Sequence, residues 1–443
     1  MTSRQILIRP DNIASDGKIS AKNSFPTVSF TIQSQQGILD PRSIRINGNV
    51  QFYRDNLATP TPVQSGDTDK LTMDNTLGVY NLFDQLTIRH VKSHQICESI
   101  KSYARFMKTY TQVGSSLCGD LIAHMGEATL SMPNPDAFFE TVMANNPNGS
   151  RKNHFSAHLP CGFLQGTGGG INLMETSFGA IQIVLELTPD LQALFCKSGT
   201  ASNLANAHYV FENLNLTCEV ADITPDQMAS VSKQTSGSYQ FNSITSLYTT
   251  INSTNAQLQF GLALKNLQSV FMNFMPSANI NNIAQNGMAT TYPSKSNGDL
   301  AHFSRVQFLR GGQKFPATFD FTTNISEDPN VEVVDPELLK YFVDSVIPEY
   351  LTDRTAISNL NNNRAYKVSA TGTDSYLLEG GGGSCFGIGM KYSQFNNGQD
   401  FSTQQWGCSL ESTLTDDSPQ SVFLYFKART TLLFNENGLQ VIN

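Results

Sequence analysis

Two pairs of histidines have the spacing of metal ligands on a helix. His90 and His94 form one pair, and His154 and His158 form the other. Side chains four residues apart lie on one face of a helix and could bind a zinc ion. Neither pair belongs to an HExxH motif, and the second lies in a segment of extended character, where its members would be about 13 Å apart. We therefore expect structural or surface histidines.

The remaining candidates for chemistry do not form a catalytic motif. The glycine-rich segments 166–170 and 380–383 are interpreted as loops, because no Lys-Ser/Thr follows the first, which leads into another predicted strand. The sequence contains no GxSxG nucleophile elbow. Its acidic residues do not indicate a pair of catalytic carboxylates for glycoside hydrolysis, and Asp416-Asp417 is interpreted as part of a solvated loop. The chain has one Trp, Trp406, and 28 Phe, and most of the Phe side chains are expected to fill a core between two sheets instead of forming a carbohydrate-stacking platform. The sequence thus predicts no catalytic, cofactor-binding or metal-binding residues and no cofactor.

The cysteines indicate neither disulfides nor a zinc ribbon. Seven are present, an odd number, and no two form a CxxC pair. We expect buried free thiols in a reducing compartment. The first residues lack a signal peptide's basic flank and apolar run, and no apolar stretch approaches the roughly 20 residues that span a bilayer. The sequence predicts a soluble chain made in the cytosol, without a transmembrane segment.

Length and charge limit the architecture and the partners. A chain of 443 residues exceeds what one core usually organises, so two domains are expected. Only 15% of the residues are charged, which suits faces that are buried against copies of the same chain. The net charge is −8 and no Lys/Arg cluster is present, so we do not expect direct, sequence-specific nucleic-acid binding.

Alternating apolar residues predict antiparallel strands throughout the chain. Asn47-Gly48 lies between two such runs and predicts a tight hairpin turn. The predicted strands include residues 27–33, 181–187, 214–220, 258–264 and 422–428.

Two helices are predicted between the strands. The first covers 93–111, with apolar residues at spacings of three and four after a capping Ser93. Tyr103 and Phe106 are expected to pack against a sheet. The second begins at Asp335-Pro336 and ends near Pro348.

The chain divides into two similar halves. Residues 224–238 provide the best boundary between them. Each half contains a strand that ends in Arg and is followed by a Gln and then by a helix; these residues are Arg89 and Gln95 in the first half and Arg310 and Gln313 in the second. This parallel suggests a diverged internal duplication. We predict an all-β fold of two consecutive jelly-roll β-sandwiches with a few short helices in loops: an N-terminal arm at 1–23, a first jelly roll at 24–230 and a second at 231–443.

Three segments resemble one family. Residues 83–103 (FDQLTIRHVKSHQICESIKSY) look like the strand and the Gln-hydrophobic-x-Glu-x-Ile-x-x-Tyr element of major capsid proteins from polinton-like viruses and virophages, in the adenovirus-like lineage. Residues 155–164 with 179–187, and residues 208–216, are similar to later strands of that family. Asn172-Leu173-Met174-Glu175 departs from the family pattern because an expected proline is missing, which weakens assignment to a subgroup.

The resemblance implies a double jelly-roll major capsid protein of an icosahedral DNA virus. It implies a homotrimer whose six jelly rolls form a pseudo-hexameric capsomer, with neighbouring capsomers and penton and minor or cement proteins as partners. The chain would then be a virion component that is assembled inside the host cell, and it would not be an enzyme. Two alternatives remain: an all-β carbohydrate-active enzyme, such as a glycan hydrolase or amidase with paired jelly rolls, and a secreted adhesin or lectin.

Overall fold

The structure is a computed structural model, and it describes most of the chain. The described residues are 3–12, 17–21, 26–55, 61–63, 67–74, 77–113, 153–166, 169–223, 236–288, 303–316, 321–322, 331–332, 336–346, 366–367, 387–393, 398–412, 419–435 and 438–442. Among them, no helix has the length and apolar character needed to cross a bilayer.

The first half of the chain consists mainly of strands. In chain order its elements are β1 (Ser3–Ile8), β2 (Lys18–Ile19), β3 (Thr27–Ile32), β4 (Ile38–Tyr53), β5 (Lys70–Thr72), β6 (Phe83–His90), β7 (Ile96–Lys101), α1 (Tyr103–Val113), β8 (Asn153–His158), β9 (Ile171–Asn172), β10 (Ile181–Leu187), α2 (Asp190–Ala193), β11 (Phe195–Ser198) and β12 (His208–Ala221).

The second half repeats this composition. Its elements are β13 (Gly237–Ile251), β14 (Asn255–Phe260), β15 (Leu267–Pro276), β16 (Phe303–Arg310), β17 (Gln313–Lys314), β18 (Val331–Glu332), α3 (Pro336–Val346), β19 (Tyr366–Lys367), β20 (Gly387–Lys391), β21 (Trp406–Ser412), β22 (Gln420–Asn435) and β23 (Gly438–Ile442). Short 3-10 turns lie at Gly78–Leu82, Ala201–Leu204 and Ser277–Asn279.

Each half is a sandwich of two antiparallel sheets. In the first, the order β1-β12-β4-β8 forms one sheet, to which β2 and β9 add, and β3-β10-β6-β7 forms the other. In the second, the corresponding orders are β13-β22-β15-β20, to which β23 adds, and β14-β21-β16-β17. Two-stranded ribbons, β5 with β11 and β18 with β19, lie outside these sheets. The two halves therefore have the same strand order, and the predicted fold of two jelly rolls is confirmed.

Aromatic side chains join the two sheets of each sandwich. In the first, the rings of Phe83 on β6 and Phe211 on β12 stack at 5.6 Å. In the second, Trp406 on β21 meets Phe426 on β22 edge to face at 5.0 Å, and its indole nitrogen donates to the hydroxyl of Tyr392. Trp406 is fully buried, because it fills the space between two apolar sheet faces.

The segment that we predicted to be an N-terminal arm takes part in the first sandwich. Strand β1 pairs with β12 from Ser3 opposite Ala221 to Ile8 opposite Leu216, and β2 pairs with the same strand further along. The first sandwich therefore includes residues 3–8, before the predicted start at residue 24. The predicted boundary near residue 230 lies outside the described residues.

Two local predictions are wrong. Asn47-Gly48 does not form a hairpin turn, since β4 runs through it as one strand of 16 residues. A Cβ atom at Gly48 would lie 3.0 Å from Leu214 and 3.3 Å from Phe155, so this glycine permits close packing. The predicted helix over 93–111 is a strand in its first part, because β7 pairs with β6, and α1 begins only at Tyr103.

The second helix agrees with its prediction. Helix α3 begins at Pro336, while Asp335 and Pro348 lie outside the described residues. Helix α1 directly follows β7, and α3 follows β17 after the short strand β18; β7 and β17 hold equivalent places at the ends of their sheets. This common position supports the interpretation of an internal duplication.

Candidate functional site at the junction of the two sandwiches

The two histidine pairs were expected to be structural or surface residues and not metal ligands. His90 is buried on β6; one ring nitrogen lies 2.7 Å from the Ser93 hydroxyl and the other 2.6 Å from the Phe178 carbonyl oxygen. His94 follows in an exposed turn with a φ of 56°. His154 and His158 both lie on β8, in extended chain as predicted. Among the described residues, no three His, Cys, Asp or Glu side chains gather at a metal-binding distance.

The described cysteines are buried thiols. These five, Cys97, Cys161, Cys196, Cys218 and Cys408, form no disulfide with one another. Burial raises the pKa of the Cys97 thiol to about 12, so it stays protonated and unreactive at neutral pH. The prediction of buried free thiols is confirmed for these five, while Cys118 and Cys385 lie outside the described residues.

The glycine-rich loops considered as possible phosphate-binding or ligand-binding segments form no binding site within the described residues. After residues 167–168, which are not described, the first glycine-rich segment leads into β9, a strand as predicted. Segment 380–383 and Asp416-Asp417 lie outside the described residues. Among the described residues, the lining of a groove beside Arg42 and His158 contains no carboxylate and no Phe, Tyr or Trp ring, so these residues do not provide the carboxylate pair of a glycan hydrolase.

The most developed polar cluster lies between the two sandwiches, and Glu98 is at its centre. Glu98 lies on β7, 5% exposed. Its carboxylate accepts hydrogen bonds from the backbone N–H groups of Phe163 and Ile244, each at 2.7 Å, and of Gly162 at 3.3 Å. Because Ile244 lies on β13, this one carboxylate joins the first sandwich to the edge strand of the second.

Burial determines the protonation of Glu98. Removal of the carboxylate from water raises its pKa to about 7, and the surrounding N–H donors oppose that rise. A Cβ atom at Gly162 would overlap the carbonyl of Asn242, so the turn at 161–166 requires glycine there to approach β13. The Glu98 side chain accepts hydrogen bonds from the backbones of the 161–166 turn and of β13, and in this way it holds the two segments together.

Helix α1 supplies the apolar part of the junction. Phe106, 2% exposed, contacts the rings of Phe271 on β15 and Tyr425 on β22, at centroid distances of 6.2 and 5.6 Å. The neighbouring Arg105 lies over the ring of Phe423 at 4.4 Å and donates to the carbonyl of Gly287 at 2.9 Å. The predicted packing of Phe106 against a sheet is confirmed, and that sheet belongs to the other sandwich.

A buried ion pair completes the junction. The Lys108 ammonium on α1 lies 2.8 and 2.7 Å from the two carboxylate oxygens of Asp74, and both side chains are almost fully buried. The amide of Asn286, from the second half, donates to the same carboxylate at 2.8 Å. Excellent geometry and extra hydrogen bonds are the conditions under which two charges can be removed from water.

Apart from the packing of Phe106, sequence reasoning assigned no role to the junction residues. Glu98 was part of the motif that carried the family resemblance, but its partners are distant in the chain. One signal was available: Glu98 and Lys108 are charges within otherwise apolar patterns, and such charges are buried only with partners. The arrangement holds two sandwiches in a defined relation, and it brings together no set of groups suited to catalysis.

Comparison with known proteins provides the decisive observation. No protein-family model and no curated protein matches the sequence. Solved structures match over nearly the whole chain. The Faustovirus major capsid protein has a TM-score of 0.58 and 8% identity, covering 98% of this chain and 90% of its own. The PBCV-1 virus capsid has a TM-score of 0.57 and 10% identity, covering 100% and 96%. The chain has the double jelly-roll fold of these capsid proteins.

The Sputnik virophage structure agrees, with a TM-score of 0.55, 9% identity and coverage of 100% of this chain and 88% of its own. The family resemblance in the sequence therefore implied the correct fold. In this double jelly roll, coverage from end to end means that both sandwiches take part in the match. Identities of this size establish the fold, so the function is argued separately.

Proposed function

We propose that this double jelly-roll chain is the major capsid protein of an icosahedral DNA virus. One observation carries the proposal: two sandwiches of identical strand order, joined by a buried junction, match capsid structures over 98–100% of the chain. Three copies would place six similar sandwiches in a ring, since two like domains per chain give three chains six near-equivalent neighbours. Such a pseudo-hexameric trimer can tile a closed shell.

A capsid subunit of this kind would have further protein partners and would be located in the virion. Neighbouring capsomers would contact the sides of the trimer, and penton and minor or cement proteins would occupy positions that it leaves open. The chain would be assembled inside the host cell and would be part of the virion. The two jelly rolls would correspond to residues 3–230 and 231–443, because β1 and β2 pair with β12 inside the first sandwich.

The low charge of the chain supports assembly over the enzyme alternative. Permanent interfaces bury on the order of 2,000 Å² or more, and their cores are poor in charged residues. The charged fraction of 15% suits a molecule whose surface is largely covered by copies of itself. The matched structures named above are capsids and capsid proteins, which favours a structural role over glycan hydrolysis or amidase activity.

Light scattering of the purified chain tests the proposal. Three chains of 48.6 kDa have a mass of about 146 kDa, and we expect this species, or larger shells, to resist dilution. Negative-stain electron microscopy should then show pseudo-hexagonal particles. A monodisperse monomer near 49 kDa at high concentration, without shells, would contradict the capsomer and would direct attention to glycan binding.

A further inference from the structure

The middle of strand β13, on the outward face of the second sandwich, is covered within the chain. On its edge strand β13, Thr245 lies opposite the buried Phe426, so its neighbours Ile244 and Ser246 point away from the core. These outward positions are met by the first sandwich: Ile244 donates to Glu98, and the Ser246 hydroxyl accepts from the N–H of Lys101 at 2.7 Å. Strand β7, at the end of its own sheet, thus covers β13.

No strand covers the equivalent place on the first sandwich in the part of the chain that the structure describes. Strand β1 takes the position that β13 has in the second sandwich, next to the long strand β12. Ile6 and Ile8 lie opposite the buried Cys218 and Leu216, so Leu7 points outward. Leu7 is 59% exposed, on a strand that lies at the edge of its sheet among the described strands.

The element equivalent to β7 is also exposed. Strand β17 lies at the end of the sheet β14-β21-β16-β17, where β7 lies in the first sandwich, and both of its residues, Gln313 and Lys314, are exposed. Among the described residues, one chain therefore contains one β7-to-β13 contact, and it presents β1 and β17, the counterparts of β13 and β7, on separate exposed edges.

We infer that the outward face of β1, centred on Leu7, docks against the β17 edge of the second sandwich in another copy of this chain. The inference rests on the proposed function and specifies the surfaces that close its ring. The contact is heterologous, as a threefold ring requires, because a chain presents β1 to one neighbour and β17 to the other. The exposed Glu219, next to β1, is opposite in charge to Lys314 and favours this pairing over contact between two β1 faces.

Charge placed on Leu7 tests the contact. In Leu7→Asp, a carboxylate would be buried without a partner in the interface, so we expect the mass to fall from about 146 kDa to about 49 kDa at equal concentration. The matched control is Ile442→Asp on β23, which changes another exposed apolar residue, 41% exposed, and should leave the trimer intact. Because Leu7 is mostly exposed, circular dichroism and the melting transition of the subunit should show a folded chain.

The outcomes separate the inference from the proposed function. A trimeric parent chain whose Leu7→Asp variant also remains trimeric would overturn the docking surface and leave the capsomer standing. Dissociation of the Leu7→Asp and Ile442→Asp variants alike would likewise overturn it, because the effect would not be specific to β1. A monomeric parent chain would count against the proposed function itself.

Cross-linking gives an independent readout. Leu7→Cys combined with Lys314→Cys, treated with a short bismaleimide, should give covalent dimers and trimers on a denaturing gel, and each single variant should remain monomeric. Reaction of Leu7→Cys alone would indicate two β1 faces in contact and would contradict the heterologous arrangement. The parent chain treated with the same bismaleimide gives the background from native cysteines.

Discussion

At the scale of single residues, the junction depends on buried polar groups whose partners come from the other half of the chain. The carboxylate of Glu98 accepts from Ile244, which is 146 residues away in the sequence. The sequence could show that a charge lies in an apolar strand. It could not show which backbone groups would surround it, because that depends on how the two sandwiches meet.

Glu98 should make the stability of the protein depend on pH. Its pKa is raised from 4.5 to about 7, so the folded state holds this proton more tightly than the unfolded state does. The resulting stabilisation is complete below pH 4.5 and is lost as pH rises through about 7. The change corresponds to about 3 kcal/mol at about 1.4 kcal/mol per pKa unit. We expect a higher melting temperature at pH 5 than at pH 8.

Glu98→Gln isolates that contribution. The variant should be less stable at both pH values, because its amide N–H₂ faces backbone donors, but the difference between pH 5 and pH 8 should shrink markedly. Differential scanning calorimetry of both proteins provides the comparison. An unchanged pH difference in the variant would assign the effect to another group.

The buried pair of Asp74 and Lys108 should show strong coupling. Lys108→Met leaves the Asp74 carboxylate buried without its cation and should lower the free energy of unfolding by about 3–5 kcal/mol. Adding Asp74→Asn removes the stranded charge and should recover part of that loss. Urea unfolding of the single and double variants measures the coupling, and additive losses would show that the two charges do not depend on each other.

At the scale of elements, the alternating pattern predicted strands well wherever one face meets a core. Residues 181–187 form β10 with the predicted bounds, and residues 27–32 form β3. The pattern was less informative for β7. Ile96 and Ile100, spaced by four, share a face in a helix and also in a strand, so only pairing with β6 decides the structure.

The turn prediction was wrong for a related reason. Asn-Gly tolerates the backbone of a tight turn, but glycine also permits close approach of neighbouring chains. At Gly48 the second property applies, because Leu214 and Phe155 occupy the space above it. The neighbours that decide between the two roles lie more than a hundred residues away, so the local sequence could not distinguish them.

Helix α1 should contribute to stability as a link between the two sandwiches. Phe106→Ala removes a ring that contacts Phe271 and Tyr425 of the second sandwich, and it should lower the free energy of unfolding by about 3–5 kcal/mol. The matched control is Tyr248→Ala, since Tyr248 is 55% exposed, and its cost should be below about 1 kcal/mol. Chemical denaturation followed by circular dichroism compares them, and equal costs would contradict the packed role of α1.

At the scale of the whole molecule, composition and duplication act together. Two sandwiches of one topology give each chain matched surfaces, and a charged fraction of 15% leaves those surfaces mainly polar and uncharged. Association should then depend on apolar contacts such as that at Leu7 and on hydrogen bonds, with charge pairs at the periphery. An interface held mainly by apolar contacts and hydrogen bonds should tolerate high salt.

The mass of the trimer should not fall between about 0.1 M and about 1 M NaCl. Over that range the Debye length decreases from about 10 Å to about 3 Å, which screens exposed charge pairs and leaves apolar contacts unweakened. Light scattering across a salt series measures the mass, with Leu7→Asp as the control that should be dissociated throughout. A trimer that dissociates at high salt would show that charges hold the ring, and would assign the main role to pairs such as Glu219 with Lys314 instead of Leu7.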